Sequence, residues 1–90
     1  MTDQALLVQL LSAANSEKFA RLWMGDASGY PSPSEADAAF CALVAFYTHD
    51  PAQIDALYRR AGLFREKWDE RHGAETYGAM TIRKSIELVS

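Results

Sequence analysis

One cysteine, Cys41, stands in the whole chain, which excludes an internal disulfide and a multi-cysteine zinc site. Histidine is almost as scarce. His49 and His72 fall at a helix end and in a loop, and neither has a second ligand at the helical spacing of a metal pair. No glycine-rich phosphate loop of Walker or Rossmann type occurs. Long apolar runs are missing too: the longest, Ala38 to Tyr47, is half of what a bilayer requires. Thr2-Asp3-Gln4 precedes the first apolar residues without a basic segment, so no secretory leader is expected. No stretch alternates apolar and polar as a half-buried strand does, and no internal repeat is visible. These absences leave a non-membrane chain expected in the reducing cytoplasm, with no metal or resident cofactor anticipated.

What is present suits one small domain. Ninety residues, 49% hydrophobic and 23% charged, are enough for a single core that needs nearly every large apolar side chain. Leu6, Leu7, Leu10 and Leu11 repeat at helical spacing within a helix expected from about Thr2 to Ala13. Asn15 or Ser16 then reads as the cap of a short helix carrying Phe19, Leu22 and Trp23, ended by Gly25. The segment 25–33 (GDASGYPSP) is dense in turn residues. Ser34 reads as the cap of a third helix, with Glu35 and Asp37 complementing its dipole and Ala36, Ala39, Phe40, Leu43, Phe46 and Tyr47 forming its apolar face. That helix is expected to be the central one. Asp50-Pro51 restarts the chain as a fourth helix, with Ile54, Leu57, Tyr58 and Ala61 inward and a stop at Gly62. Phe64 to Arg71 reads as a short fifth helix with Phe64 and Trp68 on one face. Gly73 breaks it, and a last helix from about Thr76 to Val89 turns Ala79, Ile82, Ile86 and Val89 inward. The expected architecture is an all-α, compact bundle of five or six short helices over residues 1–90.

The charge is unevenly spread. Residues 1–57 hold two basic and seven acidic side chains, a net −5, whereas residues 58–90 hold seven basic and five acidic, a net +2. The basic end includes LYRRAGLFREKWDERHG, residues 57–73, which interleaves Arg59, Arg60, Arg65, Lys67 and Arg71 with Tyr58, Phe64 and Trp68. Nucleic-acid sites use this mixture, because guanidinium and ammonium groups hold phosphates while aromatic faces stack on bases. The bland alternative is that Phe64 and Trp68 fill the core and the charges solvate an outer face; for the aromatics the core is favoured. Cys41, in the middle of an apolar helix, reads as a small buried hydrophobe, and the carboxylates at Glu35/Asp37 and Asp69/Glu70 as helix-start and surface charges. The loop carrying Asp26, Ser28, Tyr30 and Ser32 reads as a connection with Tyr30 folded back on the bundle. No catalytic constellation emerges, and an enzyme is not expected.

In order, KFARLWMGD, YPSPSEADAAF, AFYTHDPAQIDALYRRAGLFREKWDE and TYGAMTIRKSIE cover roughly Glu17 to Glu87. This series resembles the helix-bundle accessory domain of phage- and plasmid-type primase–polymerases, of the archaeo-eukaryotic primase superfamily. The matching positions are Trp23, Gly25, Asp26, Ser34, Glu35, Asp37, Asp55, Arg59, Gly62, Leu63, Arg65, Lys67, Trp68, Tyr77 and Thr81. The resemblance implies a module, one piece of a larger replication protein, that assists primer initiation by engaging single-stranded template DNA and an incoming nucleotide, ATP or another triphosphate. Phosphoryl transfer would belong to a separate catalytic domain, whose paired carboxylates and histidine this chain lacks. Arg59, Arg65 and Lys67 are then the expected phosphate contacts, supported by Arg60 and Lys84, with Trp68 or Tyr77 stacking on a base where exposed. The alternative is an interaction module that docks the catalytic domain or a helicase and touches no nucleic acid. In that case Asp37 and Asp55 pair with Arg59 or Arg65, and the shared motifs are scaffold.

Overall fold

The computed structural model describes residues 1–14 and 16–90. Its helices are α1 (Asp3–Ser12), α2 (Ser16–Trp23), α3 (Pro33–Ala45), α4 (Pro51–Arg60) and α5 (Tyr77–Val89). Between α4 and α5 lie one 3-10 turn, Glu66–Asp69, and two minimal strands, β1 (Arg71–His72) and β2 (Glu75–Thr76). The strands are antiparallel, Arg71 opposite Thr76 and His72 opposite Glu75. The fold is thus the expected all-α bundle, with a hairpin too short to leave any alternating signature.

Helix starts follow short-range chemistry. Thr2, Asp50 and Thr76 each accept a backbone N–H of the first turn they open, from Ala5, Ala52 and Ala79. For α3 the expectation needs correction: the cap is Ser32, not Ser34. Pro33 takes the first helical position, where no N–H is required, and the Ser32 hydroxyl accepts the Glu35 N–H at 3.3 Å while donating to the Glu35 carboxylate at 3.2 Å. The Asn15 half of the cap expectation for α2 lies outside the described residues; Ser16 is the first residue of that helix. At the other end of α2, Gly25 takes φ of 90°, and the Gly25 and Asp26 N–H groups donate back to Leu22 and Arg21. That closure is the left-handed glycine stop read from the sequence.

The core runs through all five helices. As expected, α3 is central, packing on α2, α4 and α5 and burying Ala36, Asp37, Phe40, Cys41, Val44 and Ala45. A chain of aromatic contacts crosses the bundle, from Phe19 to Phe40 (5.4 Å), Phe40 to Tyr58 (5.6 Å), Tyr58 to Trp68 (3.6 Å) and Trp68 to Tyr77 (6.1 Å). Such pairs add roughly 0.5–1.5 kcal/mol each beyond their area burial.

Several faces differ from the periodicity. Phe46 is 78% exposed and Tyr47 is also exposed, because α3 ends at Ala45. Leu11 lies outside the buried stripe of α1. The expected helix over Phe64–Arg71 is instead the 3-10 turn plus the first strand. Arg65 is extended before the turn and Glu70 after it, and Gly73, with φ of 76°, heads a two-residue hairpin loop. Phe64 therefore does not share a face with Trp68: it is exposed, whereas Trp68 is buried. In α5 the inward side is Tyr77, Gly78, Thr81, Ile82 and Ser85, with Ile86 and Val89 partly buried and Ala79 exposed.

Candidate functional site

Two carboxylates organise the region that carries the basic–aromatic stretch. Asp37, fully buried one turn into α3, accepts from the Tyr58 and Tyr77 hydroxyls at 2.7 Å each. Its two oxygens also take the Arg65 fork at 3.1 and 2.8 Å. A buried carboxylate is tolerable only with such saturation, because its desolvation otherwise outweighs any single pairing. Its donors come from α4, α5 and the segment between them, so one side chain ties three parts of the fold to α3. The hydrogen bond to Asp37 holds the Arg65 pKa above its ordinary value. Burial first, and Asp37 second, push the Tyr58 hydroxyl well above the usual tyrosine range.

Asp55, on α4, is the second centre. It accepts the Trp68 indole N–H at 2.8 Å and, one turn along, the Arg59 Nε at 2.8 Å. Arg59 then reaches Asp69 with both terminal nitrogens. The hydrogen bonds to Asp69 and then Asp55 raise the Arg59 pKa, and the same guanidinium lowers that of Asp69. Trp68 lies face to face with Tyr58, and Gly78 packs beneath it: a Cβ there would approach the indole to 2.5 Å. Thus a glycine at position 78 is required by the space around Trp68.

The expected site residues separate accordingly. Arg65 and Tyr77 meet at Asp37, and Arg59 and Trp68 meet at Asp55. Trp68 is 1% exposed and Tyr77 6%, so neither offers a free face to a base; the exposure on which their stacking depended is not met. Lys67 joins no ion pair among the described residues, with Nζ 3.4 Å from the Ser34 hydroxyl and 4.6 Å from the Tyr77 ring centre. Lys84, exposed on α5, and Arg60, exposed at the end of α4, are likewise outside ion pairs among the described residues. The Arg60 guanidinium lies over Trp23, 5.8 Å from its ring centre, a partnership that sequence reasoning missed. Nothing in the spacing of those two residues announces it. Among the described residues no group of three His, Cys, Asp or Glu side chains is placed to hold a metal ion, and no helix is long and apolar enough to cross a membrane.

A helical bundle in which most of the motif positions are held by internal contacts is a module built to keep one shape. Residues 33–90 match the family model described as the NrS-1 polymerase HBD domain, and the chain belongs to that family. A relative of known identity is the DNA primase-polymerase of Nitratiruptor phage NrS-1, 33% identical over 57 residues. The match covers 62% of this chain and 8% of the phage protein, so the chain corresponds to a small part of that relative. No solved structure matches.

Proposed function

We propose that this chain is a non-catalytic helical module that serves a DNA primase–polymerase in the cytoplasm, assisting primer initiation by contact with the phosphates of single-stranded template DNA or of a bound nucleotide such as ATP. The observation that carries the reading is Lys67: an ammonium group held over Tyr77, beside the start of α3, and in no ion pair among the described residues. Lys84 supports it, seven residues and two helical turns along α5 from Tyr77. Arg60, at the far end of α4, is a further cation outside ion pairs among the described residues. Arg59 and Arg65 move to a different role: their charges are matched by Asp55, Asp69 and Asp37, and they hold the module's shape.

The test is an amide-shift NMR titration with a short single-stranded DNA, with and without ATP, at two salt concentrations. Shifts around Lys67 that weaken as salt rises are expected, since phosphate contacts release counterions. Lys67→Ala should lose them with the fold intact. The matched state of Arg59 and Arg65 supports a second reading, in which the module docks a catalytic domain or helicase without touching nucleic acid. An unperturbed spectrum at low salt would leave that reading alone.

A further inference from the structure

Of the two tryptophans, the one only partly buried is Trp23, the last residue of α2, which packs against the edge of the core. Phe19 covers it on one side, with ring centres 6.0 Å apart and planes 25° from parallel. Arg60 lies on its other approach and, among the described residues, meets no carboxylate. Met24 beside it is 79% exposed. The backbone beneath both residues is clamped. The Gly62 N–H donates to the Trp23 carbonyl at 2.8 Å, a Cβ on Gly62 would stand 2.7 Å from the Met24 carbonyl, and one on Gly25 would stand 2.9 Å from the Gly62 oxygen. Two glycines therefore let the end of α2 cross the end of α4 at backbone contact, which sets the separation of the two residues' backbones.

A flat ring and a flat cation, the cation outside ion pairs among the described residues and edged by an exposed thioether, suit a flat anionic ligand. A base stacks on the guanidinium layered over the indole, whose other side Phe19 supports, and the same cation faces the adjoining phosphate. We infer that Trp23 and Arg60 form a stacking platform for an unpaired base of single-stranded DNA. The inference rests on the proposed function and adds to it a second contact, distinct from the Lys67 phosphate contact.

Because Trp68 is sealed inside the core, a change in indole emission on adding DNA reports Trp23. The full chain is titrated with a short oligothymidylate and with an abasic strand of equal length. Oligothymidylate is expected to quench the emission and the abasic strand to leave it unchanged. Arg60→Gln, at an exposed position, should weaken oligothymidylate by about tenfold, and the abasic strand by less. Trp23→Phe, which keeps a ring against Phe19, should abolish the fluorescence response and reduce affinity in the same order. Equal affinity for both strands, with shifts at Lys67 and no quenching, would overturn the platform and leave the phosphate contact standing. Binding of neither strand would overturn both.

Discussion

Arg59 and Arg60 are neighbours in the sequence and belong to opposite kinds of region. Arg59 turns toward Asp55 and Asp69, in the part of the molecule where carboxylates, tyrosine hydroxyls and the Trp68 indole satisfy one another. Arg60 turns toward Trp23, where two backbones touch at glycines, and among the described residues it joins no ion pair. The carboxylate side is stabilised by saturation: each buried polar atom has a partner, so removing one leaves several others orphaned. The junction of α2 and α4 is stabilised by close approach, and its side chains remain available. Of two neighbouring arginines beside aromatic rings, Arg59 is therefore tied into the fold by acids, whereas Arg60 lies outside ion pairs among the described residues.

The comparison is broken most sharply at Asp37. Asp37→Ala strands the Arg65 guanidinium and two tyrosine hydroxyls, and should cost about 3–5 kcal/mol in urea denaturation, much of the stability of a domain this size. A loss no larger than that of a surface pair would remove the carboxylate from its structural place. Gly78→Ala comes next. In a helix interior that exchange ordinarily stabilises by up to ~1 kcal/mol, but here the new methyl meets the Trp68 ring, and a loss of roughly 1–3 kcal/mol is expected by thermal or chemical denaturation.

A third experiment uses pH. Burial, reinforced by Asp37, raises the Tyr58 and Tyr77 pKa values above the usual 10.0. The unfolded chain then loses protons that the folded state retains. Stability should be intact below about pH 10 and fall as pH rises beyond it; Tyr58→Phe should flatten part of that decline. A flat profile through the alkaline range would show that the hydroxyls are not held by the fold. The smallest effect is expected at Arg59→Ala, about 1 kcal/mol or less, because that network is half-exposed and screened by solvent. Its DNA affinity should match that of the parent chain, in contrast to Lys67→Ala.

Much of this was legible in advance, for identifiable reasons. Caps, prolines and glycines act within a few residues, so the positions of α1, α2, α4 and α5 followed from local chemistry. The Asp55–Arg59 pair, four apart on one helix, also lay within reach of periodicity. The Asp37–Arg65 pair, 28 residues apart, did not, although both residues stood among the family positions. Which groups of the basic–aromatic run are already paired was not legible, because composition records which groups are present and leaves open whether a partner from another helix occupies them.

By itself, then, the sequence determined the all-α class, the helix punctuation, the central place of α3 and the family to which the chain belongs, since each rests on short-range rules or on an ordered series of motifs. Tertiary structure alone decided that Trp68 and Tyr77 are enclosed, that Arg59 and Arg65 are matched by acids, and that Arg60 meets Trp23. Those outcomes depend on which distant side chains share a small volume, where a buried charge must find every partner it needs and an exposed one need find none.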